Sequence, residues 1–311
     1  MTPPGGTVGA RPEPAGAGVP APAAEPVLGI PLSVTDYEQT LDWMDATIAA
    51  RGRGYVCVSA VHTVVAAQDD PELRAAVLGA DLVVPDGQPL VWALNALGHP
   101  LDSRVYGPEL MWKACARAAG SKTRFFLYGG RDAAALDLLV RRLEAAHPGL
   151  VIAGTHCPPF RPLTPAEEAE VAARIDASGA DVVWVGIGVP KQEKWMARIR
   201  PRLAAPVLVG VGAAFDFHAG LIPQAPAWMQ SRGLEWAFRL RQEPRRLWRR
   251  YASTNPRFVI GFARQYGRHR RSGGRAPRGA RRSGRARSPS RRRRTRSART
   301  PAAPGRSPGP C

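Results

Sequence analysis

The sequence lacks a long hydrophobic run, a secretory signal and any closely spaced pair of cysteines. A membrane-spanning helix needs about 18 consecutive apolar residues, and the best candidate, between Leu203 and Phe215, is interrupted. Residues 1–26 have neither the basic start nor the apolar centre of a signal peptide. The 4 cysteines fit neither a redox motif nor a zinc site. We therefore predict a cytoplasmic protein with free thiols and no transmembrane helix.

Acidic residues are missing from the C-terminal end. The net charge of +19 arises because residues 264–311 hold 17 arginines and no Asp or Glu, whereas the rest of the chain is almost neutral. A segment of Arg, Ser, Pro and Gly cannot bury enough apolar surface to fold by itself. Such a tail attracts anionic lipid or nucleic acid, and compositional drift of a disordered end explains it equally well.

Composition divides the 311 residues into four parts. Residues 1–29 are predicted to be a disordered extension rich in Pro, Ala and Gly, and residues 30–233 a folded α/β domain. Residues 234–266 are predicted to be a helical appendage rich in Trp and Arg that associates with membranes. Residues 267–311 are predicted to be the disordered Arg-rich tail.

The folded part alternates between short apolar runs and segments of helical periodicity. The runs predict buried strands at Tyr55 to Val58, Leu82 to Val84, Phe125 to Tyr128, Val151 to Ala153, Val182 to Val185 and Val207 to Val211. Strands separated by helices of about 10 residues or more indicate a parallel sheet that is covered on both faces. The prediction is a Rossmann-like α/β fold with a mainly parallel sheet, followed by C-terminal amphipathic helices.

Two turns that follow predicted strands carry candidate site residues. Ligands of such sheets bind beyond the carboxyl ends of the strands. Asp86, within Pro85-Asp86-Gly87, is either the N-cap of the next helix or a carboxylate at the rim that can act as a general base, and the two roles are compatible. Gly129 and Gly130 open another turn, where backbone N–H groups suit a phosphate, although a plain tight turn explains them too.

A third turn, Gly186-Ile-Gly188-Val-Pro190-Lys191-Gln192-Glu193, shares only two glycines with the dinucleotide fingerprint. NAD binding is therefore not predicted. Lys191, Gln192 and Glu193 suit a phosphate and sugar hydroxyls at a helix start. The alternative is a solvated first turn in which Glu193 faces the helix dipole.

Asp216 and His218 follow the last predicted strand. Isolated polar residues of this kind are more often buried or capping than functional, so His218 is interpreted as packed. Asp216 remains a candidate contact for a bound ligand. No spacing of His, Asp or Glu suggests a metal site, and we predict neither a metal nor another cofactor.

From Leu234 to Phe262 bulky aromatic residues alternate with arginines at helical spacing. Such a segment suits a helix in a membrane interface, a helix on nucleic-acid phosphates, or a helix that docks on the domain with its arginines outward. The candidate contacts with membrane or acceptor are Trp236, Arg239, Arg245, Arg246 and Trp248.

Several ordered motifs occur together between about Val56 and Tyr251. They include Ala80-Asp-Leu-Val-Val-Pro-Asp86-Gly87, Arg104-Val-Tyr-Gly107, Phe126-Leu-Tyr-Gly129-Gly130, Val185-Gly-Ile-Gly-Val-Pro190-Lys191-Gln192-Glu193 and Gly233-Leu-Glu235-Trp236. In this order and spacing the sequence resembles the WecG/TagA/CpsF family of bacterial glycosyltransferases.

The resemblance implies an inverting transfer of N-acetylmannosamine or a related hexose. The implied partners are a UDP-sugar donor, a polyprenyl-diphosphate-linked acceptor and the anionic inner face of the cell membrane, in cell-wall or exopolysaccharide synthesis. A homo-oligomer is compatible with it, and no specific nucleic acid is expected. The rival functions are a nucleic-acid-binding protein that uses the Arg-rich tail and another nucleotide-dependent enzyme such as a dehydrogenase.

The resemblance also assigns roles to individual residues. Asp86 takes the place of the family's catalytic base, and Arg104 and Gln192 take the places of donor-binding residues. An early Thr-x-Asn site of the family is replaced by Ser59-Ala60-Val61-His62. Ser59 retains the hydroxyl, and His62 is the candidate substitute for the Asn.

Overall fold

The structure is a computed structural model that describes residues 20–226, 228–229 and 232–272, without the side chain of Arg246. The described strands are β1 (Ala24–Val27), β2 (Ile30–Ser33), β3 (Gly54–Ser59), β4 (Leu82–Pro85), β5 (Arg124–Gly129), β6 (Val151–His156), β7 (Val182–Gly186) and β8 (Val207–Gly210). The described helices are α1 (Tyr37–Ala49), α2 (Val61–Ala66), α3 (Pro71–Leu78), α4 (Gln88–Ala96), α5 (Gly107–Ser121), α6 (Ala133–Ala146), α7 (Pro165–Ser178), α8 (Lys191–Ile199), α9 (Ala214–His218), α10 (Glu235–Gln242) and α11 (Pro244–Arg271).

Six strands form the central sheet in the order β4-β3-β8-β7-β5-β6, and every neighbouring pair is parallel. All carboxyl ends of these strands therefore lie at one edge of the sheet. The predicted Rossmann-like α/β fold is confirmed, and each of the predicted strands overlaps an observed one.

Helices cover both faces of the sheet, because the strands bury apolar side chains in both directions. One face packs against α2, α3, α4, α7 and α8, with Tyr128 and Trp195 among the buried side chains. The other face packs against α1, α5, α6 and α9, with Trp184 and Phe215 among them. The cysteines Cys57, Cys115 and Cys157 are free, and Cys311 lies outside the described residues.

The predicted N-terminal boundary at residue 29 is wrong for its last residues. β1 and β2 form an antiparallel hairpin in which Val27 pairs with Ile30. Val27, Ile30 and Leu32 are fully buried in the core, and this apolar burial orders a segment that its Pro and Ala content made look disordered. The earlier part of the predicted extension, residues 1–19, lies outside the described residues.

The predicted C-terminal helices are present as α10 and α11, and α11 continues to Arg271, beyond the predicted end of the appendage at residue 266. Phe258 of α11 is buried in the core. Gln265 binds the hairpin twice, by accepting from Leu28 N at 2.8 Å and donating to Pro26 O at 2.6 Å. The appendage is thus docked on the α/β domain. The Arg-rich tail after residue 272 lies outside the described residues.

Candidate functional site

A cavity of about 750 Å³ lies at the carboxyl ends of the central strands. Its lining includes Asp86, Gly130, Gly188, Lys191, Gln192 and Asp216 from the sheet side and Arg239, Glu243 and Arg250 from α10 and α11. The appendage therefore forms one wall of the cavity, and the strand ends form the other. Of the 11 candidate catalytic and substrate-binding residues that the sequence suggests, 7 line this space.

Asp86 follows β4 at the rim of the sheet. The N-cap of α4 is Gly87, with no side-chain cap, so the N-cap interpretation of Asp86 is wrong. Its Oδ1 instead accepts a hydrogen bond from Gly107 N at 3.2 Å. Burial raises the pKa of Asp86 to about 6, and nearby Glu235 adds to the rise, whereas Arg104 opposes it. A carboxyl group with such a pKa exchanges protons near neutral pH, which suits a general base.

Arg104 lies behind Asp86 and is not among the residues that line the cavity. Its Nη2 donates to Glu235 Oε2 at 2.6 Å and its Nη1 to the backbone O of Asp86 at 3.4 Å. The guanidinium also lies 4.2 Å from the ring centroid of Tyr106. The structure thus joins Arg104 to Asp86 and to α10, and its role in binding the donor stays a prediction.

Gln192 and Glu193 begin α8 and are buried, with Gln192 only 1% exposed, so the solvated first turn is wrong for both. Gln192 Nε2 donates to Glu193 Oε1 at 2.9 Å. A Cβ at position 210 would lie 3.0 Å from that nitrogen, and glycine at the end of β8 leaves the room it needs. Among the described residues Gln192 Oε1 has no hydrogen-bond partner, which leaves an acceptor at the base of the cavity. Lys191 is exposed at the rim.

The predicted glycines divide into two groups. A Cβ on Gly129 would lie 2.6 Å from the backbone of Gly186, so Gly129 serves the close approach of β5 and β7 and does not line the cavity. Gly130 and Gly188 do line it. A Cβ on Gly188 would meet no atom within 4 Å, which shows that this turn faces open space.

Ser59 and His62 also lie in different environments. Ser59 ends β3, is fully buried and does not line the cavity, and its Oγ has no partner among the described residues. His62 of α2 lines the cavity. Burial, followed by the charges of Arg250 and Arg239, lowers the pKa of His62 to about 3. His62 is therefore neutral at physiological pH and can contribute a hydrogen bond but no charge.

Asp216 on α9 pairs with Arg131 Nη2 at 3.5 Å, and both residues line the cavity. Arg131 belongs to the glycine turn after β5 but was not singled out from the sequence, because an arginine in a surface turn has no distinctive pattern. His218 Nε2 bonds to Pro108 O at 2.9 Å and its ring stacks on Trp112. The interpretation of His218 as a packed residue is confirmed.

The candidate membrane and acceptor contacts of the appendage lie in different environments. Arg239 lines the cavity beside Phe217, and Arg250, which was not singled out as a site residue, joins it. Trp236 is 43% exposed and Trp248 53%, although Trp236 packs its ring edge against Tyr251. Arg245 is exposed, and the side chain of Arg246 lies outside the described part.

Two features are absent from the described residues. These residues contain no group of three or more His, Cys, Asp or Glu side chains that is arranged to hold a metal ion. None of their helices combines the length and the apolar character needed to cross a bilayer.

Comparison with known proteins agrees with the motif resemblance. The profile described as "Glycosyl transferase WecG/TagA/CpsF family" matches residues 25–272, from the N-terminal hairpin to just beyond α11. A curated protein of Bacillus spizizenii (strain ATCC 23059 / NRRL B-14472 / W23) is 31% identical over 231 residues, which cover 73% of this chain and 87% of that protein. It is named "N-acetylglucosaminyldiphosphoundecaprenol N-acetyl-beta-D-mannosaminyltransferase".

Proposed function

The chain belongs to the WecG/TagA/CpsF family of glycosyltransferases, and from that premise we propose that it transfers N-acetylmannosamine or a related hexose from a UDP-sugar. The acceptor is a sugar linked to a polyprenyl diphosphate, in cell-wall or exopolysaccharide synthesis. The name of the Bacillus relative supports the acceptor class and the transferred sugar.

The observation that carries the proposal is Asp86, a carboxylate with a pKa of about 6 that lines the cavity where strand ends and appendage meet. Ionised Asp86 takes the proton of an acceptor hydroxyl, whose oxygen then forms a bond with the anomeric carbon of the donor sugar. The bond from that carbon to the UDP oxygen breaks on the opposite face, and the configuration inverts. UDP leaves with the bonding electron pair.

Negative charge grows on the diphosphate as it leaves, and cations in a site of restricted solvent access stabilise it. Arg239 and Arg250 line the cavity from the appendage and Lys191 from the sheet side. The open turns at Gly130 and Gly188 leave space for backbone N–H groups to approach the phosphates. These groups meet the electrostatic demand of the transfer from both walls.

The buried carbonyl oxygen of Gln192 supports a contact with the donor sugar. Its amide nitrogen already donates to Glu193, so the free oxygen accepts a hydrogen bond and does not donate one. A hydroxyl or an acetamido N–H of the sugar supplies the matching donor. Neutral His62 adds a second uncharged contact on the same lining.

The exposed side of the appendage suits contact with the membrane that holds the acceptor's lipid. Trp236 and Trp248 are about half exposed, and Arg245 and Arg249 are exposed nearby in sequence. Tryptophan suits the headgroup boundary and arginine suits lipid phosphates. We therefore place the protein at the inner face of the cell membrane as a peripheral protein.

A panel of UDP-sugars tests the proposal, with a short polyprenyl-diphosphate-linked N-acetylglucosamine as acceptor. We expect transfer from UDP-N-acetylmannosamine or a close relative, and NMR of the product should show an anomeric configuration opposite to that of the donor. Retention of configuration, or no transfer from any member of the panel, would contradict the proposal.

A further inference from the structure

Glu235, the first residue of α10, is only 8% exposed and points a carboxylate towards the base. It pairs with Arg104 Nη2 at 2.6 Å. We propose that Glu235 is a positioning residue for the proposed transfer: it holds Arg104 so that Asp86 keeps both its place and its basicity. The inference rests on the proposed function, in which Asp86 is the base.

Two neighbouring donors form hydrogen bonds with Asp86. Arg104 donates to the backbone O of Asp86, and Gly107 N donates to its Oδ1. Both donors belong to the segment of residues 104–107, so that segment holds Asp86 at two points. Glu235 binds the same segment through Arg104.

The charged groups around Asp86 shift its pKa in opposite directions. Arg104 and Arg239 lower the pKa of Asp86 and Glu235 raises it, while burial is the largest cause of the rise. From α1 the hydroxyl of Tyr37 faces the same group, and burial keeps it protonated by raising its pKa to about 12. Without the Glu235 charge, Arg104 would act on Asp86 uncompensated, and the carboxylate would become a weaker base.

The position of Glu235 links two distant parts of the chain. Arg104 follows β4, and Glu235 lies 131 residues later in the appendage. Docking of the appendage therefore supplies the Glu235 carboxylate as well as Arg239 and Arg250, which line the cavity. The basicity of Asp86 depends on a residue that the sheet itself does not contain.

Variants of the two partners test the inference because their effects have opposite signs. Glu235→Gln keeps the shape and a hydrogen-bond acceptor but removes the charge, so the acid limb of the pH profile of kcat should move down by about one pH unit. Arg104→Gln should move it up. The double variant should return the limb close to the wild-type position, and Glu235→Asp should keep it there. The exposed Glu170→Gln is the control and should move nothing.

The kinetic constants separate positioning from mere folding. For Glu235→Gln we expect kcat to fall about tenfold with a nearly unchanged KM for the UDP-sugar, because a weaker base slows the chemical step. A uniform loss of activity with an unmoved acid limb would mean that Glu235 only stabilises the fold, and the inference would fail.

A titration that needs no activity completes the test. In the full chain labelled with ¹³C at the Asp carboxyl carbons, the Asp86 signal is assigned by its loss in Asp86→Asn and followed against pH. A lower midpoint in Glu235→Gln supports the inference even where no UDP-sugar is transferred, an outcome that contradicts only the proposed function. An unmoved midpoint overturns the inference whether or not transfer occurs.

Discussion

The two walls of the cavity are built in different ways. The sheet wall carries Asp86 directly after β4 and Gln192 in the first turn of α8, both beside a packed core. The appendage wall consists of helices that dock through a few contacts, such as buried Phe258 and the Gln265 bonds to the hairpin. The appendage wall adds Arg239, Glu243 and Arg250 to a sheet wall that already carries charged residues, among them Asp86, Lys191 and Asp216.

This difference predicts different consequences of substitution. Changes in the sheet wall should affect the chemical step and the donor, whereas changes in the appendage wall should affect the leaving group and the membrane-borne acceptor. Glu235 is the exception because its carboxylate pairs with Arg104, which donates to the backbone of Asp86. Substitutions in each wall test this division.

The largest effect is expected from substitution of Asp86, the proposed general base. Asp86→Asn preserves shape but cannot accept a proton from the acceptor, so kcat should fall about 100-fold or more. Steady-state assays with the N-acetylglucosamine-linked acceptor measure it, with Asp137→Asn on the exposed face of α6 as the control. Near wild-type turnover in a folded Asp86→Asn protein would show that Asp86 is not the general base.

The cavity arginines should give the next largest effect. Arg239→Ala and Arg250→Ala each remove a cation from the cavity, and each should lower kcat/KM for the acceptor about tenfold, the usual worth of a charged hydrogen bond. Arg241→Ala is the matched control, since Arg241 lies on the same helix as Arg239 but is exposed. Equal losses in all three variants would mean that net charge, not position, matters.

Much of the sheet wall is readable from the sequence. Its strands are apolar runs. Asp86 stands directly after one of them, and Gln192 lies at the start of the helix that follows another, where ligand contacts of parallel sheets gather. The appendage wall is not readable in this way. The pairing of Arg104 with Glu235 spans 131 positions, and neither the periodicity of one helix nor its composition reveals which distant side chain it meets.

The errors at single residues have the same origin. Val27 is buried because the hairpin folds onto the core, a tertiary contact that local Pro and Ala content hides. Ser59 occupies the position of a family hydroxyl, yet strand β3 turns it into the interior. Gly129 looks like part of a phosphate turn, but the neighbouring strand requires it.

A smaller effect is expected at Gln192. Gln192→Ala removes the buried acceptor and leaves Glu193 without its amide partner, so calorimetric affinity for UDP-sugar should fall about fivefold. Gln39→Ala on the exposed side of α1 should leave affinity unchanged. The same titration of Arg104→Ala tests its predicted contact with the donor. Unchanged affinity in Gln192→Ala would exclude the amide from donor binding.

The smallest effect on the stability of the protein is expected from substitution of the exposed tryptophans. Trp236→Ala/Trp248→Ala should leave the free energy of unfolding nearly unchanged but weaken flotation with anionic vesicles, because these rings face outward. Phe258→Ala is the opposite control, since loss of a buried ring costs about 3 to 5 kcal/mol. Unweakened vesicle binding in the double variant would contradict the membrane placement.

The pH dependence of kcat in the wild-type protein tests the central claim most directly. A general base works only when ionised, and the buried Asp86 has its pKa raised to about 6. Activity should therefore be low below that pH and rise to a plateau above it. An acid limb with a midpoint near 6 is the result we predict. Full activity down to about pH 4, where an ordinary carboxyl group titrates, would contradict the account.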